Sequence, residues 1–409
     1  DELKNRIQDE HAVGADHWVY NDITTARALA EAQGKPLFVT FRCVPCKDCK
    51  SFDAEVANGS DAITELARRE FISVRQVEMK NVDLTQFQFD HDLNWAAMFI
   101  NADGTVYARY GTQSSAGPDA YNSVEGLKRT MQQVLKLHAN YPANKAELVG
   151  KRAKQKPYKT ATEMPGLPTN AKKFLQTTTR RNCIHCHMIH DAENVYAQKS
   201  GTLTSDMLWR YPLPDNIGLR IDASHGTRIA KVLKAAESSG LKDGAVVTHM
   251  NGQVVTSIAD MQWVLHGLNN EPMTISLRLK DGSRHSVSTA KDWKRSDISW
   301  RGSIYSLSPV FAVWAPPLPN EKRQARGVTA DSVALEVRWI NRGKASGRKA
   351  FEAGLREGDV LLKLNDQPVP SSPQKLQTLI KLNHKVGEEL RFEILRDGRR
   401  KEIVIELVE

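Results

Sequence analysis

The feature that most restricts the fold is "PLFVTFRCVPCKDCKSF", residues 36–52, where an apolar run enters three cysteines set three residues apart. An uninterrupted apolar run of this length suits a buried strand, and the residues after the cysteines read as a helix. A thiol at a helix N-terminus meets unpaired N–H groups and the positive end of the macrodipole, so Cys43 is expected to have a depressed pKa and to be the attacking sulfur. Cys46, one turn on, can resolve a mixed disulfide, and Arg42 and Lys47 add positive potential. Cys49 continues the same helical stripe. There it can help cup a soft metal such as Cu(I), serve as a third exchange partner, or pack as a small core residue.

The surrounding residues alternate helix and strand. "NDITTARALAEAQGK" has helical spacing that ends at Gly34, "FISVRQVEM" reads as a strand, and "AAMFINADGTVYARYG" reads as two strands joined at Asp103-Gly104. "SVEGLKRTMQQVLKLHANY" follows as an amphipathic helix.

The strand, C-x-P-C and helix arrangement resembles thioredoxin, and "KPLFVTF", Trp18 and the "ADGTVYARYG" hairpin extend the resemblance over residues 15 to 140. It implies an α/β fold with thiol–disulfide chemistry at Cys43, Cys46 and Cys49. Thioredoxins place a cis-proline beside the dithiol, whereas "NWAAMF" puts Trp95 or Ala96 there, which sets this chain apart in substrate handling.

A second cysteine group lies in "RRNCIHCHMIHDAE", residues 180–193. C-x-x-C-H is the spacing of covalent c-type haem attachment, with Cys183 and Cys186 bonded to the vinyl groups and His187 as proximal iron ligand. Two alternatives stand beside it: a zinc ion on Cys183, Cys186, His187 and His190, or a dithiol that exchanges with the first group. For a haem, Met207, Met164 and His190 are candidate distal ligands, with His138 and His225 as further options.

The C-terminal half contains an internal repeat. "GLKDGAVVTHMNGQVVTSIADMQWVL" parallels "GLREGDVLLKLNDQPVPSSPQKLQTLI", and each copy ends on an Asp-Gly hairpin. These copies resemble PDZ domains of the HtrA/Deg protease type. The resemblance implies peptide binding by strand addition, with a carboxylate-capturing loop at Ile217, Gly218, Leu219 and Arg220 in the first copy. In the second copy Val333, Ala334, Leu335 and Glu336 stand there, and an acid beside a carboxylate site is unfavourable. No serine-protease triad precedes the copies, so proteolysis is not expected.

Five domains or segments follow: a thioredoxin-like domain over residues 1–145, a basic linker and short helical haem-binding segment over 146–212, a first PDZ domain over 213–292, a Trp/Pro-rich connector over 293–328, and a second PDZ domain over 329–409. The connector carries Trp293, Trp300 and Trp314, expected to cover a neighbouring domain. The fold class is thus multidomain, α/β plus mainly β. Residues 150–182 hold nine Lys or Arg against one acid, Glu163, so most of the formal net charge of +9 sits in one segment. Lacking interleaved aromatics or a nucleic-acid motif, it reads as a solvated linker or a docking surface for an anionic partner.

No stretch approaches the roughly 18 apolar residues of a membrane span, and a clipped export signal is the expectation. Together the parts resemble a family of bacterial envelope proteins that join a thioredoxin-like domain, in some members with selenocysteine at the active site, to PDZ domains. The resemblance implies a periplasmic redox protein with PDZ-bound protein or peptide partners. The leading expectation adds one covalent haem c and a redox partner protein. The alternative is a non-enzymatic envelope scaffold with an inert thioredoxin fold and a structural disulfide or zinc site.

Overall fold

The computed structural model describes residues 2–10, 17–44, 50–59, 61–152, 154–167, 171–329 and 331–409. It divides into two compact units, residues 1–297 with 301–303, and residues 298–300 with 304–409.

In the first unit the apolar run becomes β2 (Leu37–Arg42), buried at all six positions. It is central in a mixed sheet of order β1-β3-β2-β4-β5, with β1 at Trp18–Tyr20, β3 at Ile72–Gln76, β4 at Trp95–Ile100 and β5 at Val106–Tyr110. β2 runs parallel to β3 and antiparallel to β4, and β4 and β5 form the hairpin predicted at Asp103-Gly104, with Gly104 at φ 87°. Short α1 (Glu2–Ile7) precedes the sheet, and α2 (Ile23–Gln33) begins with Asp22 accepting from Thr25 N at 2.9 Å. It stops at Gly34 in the left-handed region. After the thiol loop come α3 (Lys50–Ala54) and α4 (Asp61–Glu70), then α5 (Val124–Ala139), capped by Ser123, beyond the hairpin. Trp18, Phe38, Phe99, Leu127 and Met131 share one core.

The basic segment is not a solvated linker. After α6 (Lys145–Leu148) it folds back over the loop between β3 and β4. Leu84 N donates to Lys159 O at 2.7 Å, Gln88 Nε2 to Lys154 O at 2.6 Å, and Met79 N to Ile184 O at 3.2 Å. Lys151 is buried, its ammonium 2.6 Å from Asp260. The segment ends in α7 (His187–Lys199) and α8 (Ser205–Leu208).

The first repeat copy forms β6 (Leu219–Ile221) paired with β7 (Ile229–Val232), and a sheet of order β11-β10-β8-β9. Its members are β8 (Val247–Met250), β9 (Gln253–Val254), β10 (Thr274–Leu279) and β11 (Arg284–Ser288), with α9 (Ile258–His266) between β9 and β10. Trp293, assigned to the connector, instead joins this copy's core and donates its Nε1–H to Asn269 O at 3.0 Å.

The α9 helix lies against β5, the edge strand of the thioredoxin-like sheet. Arg109 N donates to Asp260 Oδ1 at 3.0 Å, Ser257 Oγ donates to Arg109 O at 2.5 Å, and the buried Arg109 guanidinium stacks over Trp263 at 3.6 Å. An edge that would otherwise offer unpaired backbone groups is therefore covered.

The second unit contains β12 (Val313–Trp314), α10 (Asn320–Arg323), β13 (Leu335–Glu336), β14 (Trp339–Ile340), α11 (Ala345–Glu352), β15 (Val360–Leu364), β16 (Gln367–Pro368), α12 (Pro373–Asn383), β17 (Glu389–Arg396) and β18 (Arg399–Glu406). β13, β15, β17 and β18 form a sheet in that order, with β16 beside β15, and β12 pairs with β14. The 293–328 segment is thus more than a connector. Its residues 312–318 run antiparallel along 334–341, through bonds such as Leu318 N to Ala334 O at 2.9 Å and Arg338 N to Trp314 O at 2.9 Å. An interrupting Pro-rich pattern hid a strand that serves this unit.

Candidate thiol site

The site is built from the end of β2 and the approach to α7, which lie 140 residues apart in sequence. Cys43 follows Arg42, whose guanidinium donates to Cys43 O at 2.7 Å and lies 2.5 Å from the Asp53 carboxylate of α3. Asp53 also receives Arg75, which reaches Asp9 at 2.8 Å. All four charged side chains are buried, so the chain before and after the first cysteine group is tied into one compensated ionic network. Cys46 and Cys49 lie outside the described residues.

Facing Cys43 is the C-x-x-C segment. Cys43 Sγ lies 2.9 Å from Nδ1 of His185, which is also 3.8 Å from Cys183 Sγ, with Nε2 at 3.6 Å from that sulfur. The segment is anchored by Ile184, whose N–H donates to Glu78 at 2.9 Å and whose carbonyl accepts from Met79. Cys186 immediately precedes α7. No disulfide joins Cys183 and Cys186.

Burial sets the protonation states. It pushes the Cys183 thiol up to about 11, with the Glu78 carboxylate adding to the effect. Cys186 is pushed higher still by burial, and next by the charge of Cys43 as a thiolate. His185 is held down to about 4 by burial and by His187, so it is neutral at ordinary pH. Sequence reasoning passed over His185 because it sits between the two cysteines of the haem-like spacing. Its one signal was being a histidine there.

A haem on Cys183, Cys186 and His187 would need both sulfurs turned to a macrocycle. Cys183 and Cys186 are instead only 5% and 6% exposed. The His185 ring lies against Cys183, while Cys43 and Glu78 are close enough to act electrostatically on Cys186. The His187 ring is stacked on His185 at 5.6 Å, and a side chain added to Gly302 would meet it at 3.1 Å. As arranged, these residues do not fit a haem.

The zinc alternative also finds no support. Among the described residues no group of three or more His, Cys, Asp or Glu is arranged to hold a metal ion. His190 is turned away: its Nε2 accepts from His91 N at 3.1 Å and its Nδ1 is 3.0 Å from Glu193. With Met164 and Met207 it lines a separate cavity. His138 bonds Tyr107 and Gly34 O, and His225 lies beside Thr227. Trp95, in the cis-proline position, is buried edge-on against Phe52 of α3 at 4.9 Å.

The expected peptide loops are largely spoken for. In the first copy Ile217 and Leu219 are core residues, Gly218 N donates to Asp215 O at 3.0 Å, and exposed Arg220 pairs with Asp215 at 2.9 Å. In the second, Leu335 and Glu336 pair with β15 on one side and with residues 316–318 on the other. The Glu336 carboxylate is buried and held by Arg338 at 2.7 Å, with Lys322 and Arg326 at 3.7 Å. Residues 307–313 lie instead beside α12, whose Gln377 and Lys381 donate to their carbonyls.

Comparison with known proteins agrees with this architecture. A family model described as thioredoxin-like matches residues 18–102, and a PDZ domain model matches residues 345–407. The chain carries a thioredoxin-like domain and a PDZ domain. Among curated proteins it is similar to probable periplasmic serine endoproteases of the DegP-like type. One from Pseudomonas putida is 28% identical over 205 residues, covering 48% of this chain and 40% of that protein. One from Ectopseudomonas mendocina is 27% identical over 206 residues, covering 48% and 41%. This chain thus spans well under half the length of those relatives. Among solved structures, the HtrA-type protease AlgW with decapeptide matches at TM-score 0.22 and 15% identity, over 35% of this chain and 51% of that one. The same protease with tripeptide matches at TM-score 0.23 and 15% identity, over 40% and 58%. Among the described residues no helix is long and apolar enough to cross a membrane.

Proposed function

We propose that this chain is an extracytoplasmic thiol–disulfide exchange protein in which the Cys43/Cys46 dithiol and the Cys183/Cys186 pair pass two electrons between them. The observation that carries the reading is the 2.9 Å approach of Cys43 Sγ to His185, inside the second cysteine pair. Starting from a Cys183–Cys186 disulfide, Cys43 loses its proton to solvent and the thiolate, beside the neutral His185 ring, attacks Cys186 Sγ. Cys183 leaves and is protonated, since it is the less basic of the two buried thiols and so the better leaving group. Cys46 then attacks Cys43, closing the Cys43–Cys46 disulfide and releasing Cys186 as a thiol. Two electrons and two protons have moved from one pair to the other, and the second pair can hand them to a protein partner. The PDZ domain, and a PDZ-like first copy, supply the partner contacts, and the DegP-like relatives support an oxidising envelope location.

The test is a trap. In a Cys46→Ser, Cys183→Ser variant, mild oxidation is expected to yield a Cys43–Cys186 disulfide, read by peptide mass spectrometry. Cross-linking of Cys43 to Cys49 alone would sink the reading and leave the scaffold alternative. A pyridine haemochrome stoichiometric with the chain would also overturn it, because thioether bonds would consume both exchanging thiols.

A further inference from the structure

The α7 helix meets the thiol site only at its start. Farther along, Glu193, Tyr196 and Ala197 form one wall of a cavity of about 730 Å³, within the roughly 300–1,000 Å³ typical of small-molecule sites. The arm facing them, residues 154–166, is held close at Gly166, where a Cβ would stand 1.8 Å from Ala192 O. Only glycine allows that approach, so the distance between the walls is built in. Met164, Pro165 and Met207 give the cavity an apolar lining.

Its polar groups are unbalanced. One inner carboxylate, Glu193, takes Lys156 at 2.6 Å, Arg210 at 3.1 Å, His190 at 3.0 Å and the Tyr158 hydroxyl. Lys154 adds a further cation to the lining. Glu163, also in the lining, is exposed and already accepts from Lys159 N at 2.8 Å and Thr160 at 3.0 Å. Arg210 is 7% exposed, and its Nη1 has no hydrogen-bond partner among the described residues. Burial keeps the neighbouring His91, His190 and His266 from adding charge at neutral pH.

We infer that this cavity binds a small organic anion, a carboxylate on a flat apolar body. Its charge is met by Lys156 and Arg210, and its body lies among Met164, Met207 and Tyr196. The site uses none of the groups of the thiol exchange, so the two stand or fall separately.

Calorimetric titration of the full chain with 2-naphthoate and with its neutral isostere 2-naphthamide tests the inference. Naphthoate is expected to bind one per chain and at least about tenfold more tightly, one charge-assisted contact's worth. Lys156→Met should shrink the difference while leaving naphthamide binding intact, which also reports that the cavity persists. Ala197→Phe should abolish both, and if that variant does not fold, Met207→Trp serves the same purpose. The inference is overturned if neither probe binds, if both bind alike, or if naphthoate binding survives the filling substitution.

Discussion

At the residue scale, the chemistry rests on a neutral imidazole among thiols of unequal environment. Thiolate is the reactive form, and Cys183 is pushed up to about 11, so Cys183 and Cys186 should alkylate slowly at pH 8 in the folded chain. Iodoacetamide mass mapping is expected to label Cys43 well before either. Simultaneous labelling of all three would contradict the burial argument. His185 contributes a pH dependence of definite sign. Its folded pKa of about 4 lies below the ordinary 6.5, so the unfolded chain binds the proton first and stability falls as pH drops from 6.5 towards 4. Urea midpoints for His185→Gln should be flatter over that window than for the parent. The sequence marked Cys43 as the attacking thiol and allowed exchange between the two cysteine groups, but the place of His185 and the burial of Cys183 and Cys186 were not legible in it. The cysteine spacings are local, but their meeting depends on a basic segment folding back through backbone bonds such as Leu84 N to Lys159 O.

At the element scale, the sequence was most legible where local chemistry decides structure: the Gly34 stop and the Asp103-Gly104 turn. It was least legible for β12, because Pro309, Pro316, Pro317 and Pro319 make "SPVFAVWAPPLP" read as a linker although Val313 and Trp314 pair with β14. The stretch that leads into that strand is tied to a helix of the PDZ domain. On α12, Gln377 Nε2 donates to Phe311 O and to Val313 O at 3.2 Å, and Lys381 Nζ donates to Leu307 O and to Pro309 O at 3.3 Å. If a peptide strand were added along this stretch, those carbonyls would be its acceptors, and the ligand would first have to displace two side chains. A Gln377→Ala, Lys381→Ala variant should bind C-terminal peptides from a display library more tightly than the parent, by tenfold or more in fluorescence anisotropy. Equal affinities would mean that these side chains do not compete with peptide.

At the scale of the whole molecule, two copies of one repeat have been put to different uses, and their cores explain how. The second unit encloses its own apolar cluster from Phe311 through Leu361 and Phe392 to Ile405, and its β17 and β18 pair along their whole length. The first copy also has a core, but its α9 presents buried Asp260 and Gln262 to the thioredoxin-like domain. Asp260 pairs there with Lys151, and Gln262 accepts from Thr112 at 2.8 Å. Removing one member of such a buried pair typically costs about 3–5 kcal/mol. Residues 298–409 alone should therefore give a dispersed amide spectrum and a single cooperative melt, as expected of an independent domain. Residues 213–297 alone should not, because isolation exposes the α9 face and leaves Asp260 without its lysine. Restoring the thioredoxin-like domain and the basic segment, as residues 1–303, should recover the cooperative transition. If the 213–297 fragment instead folds as stably as the 298–409 fragment, α9 is not bound into the first unit, and the first copy is as free to bind peptides as the second.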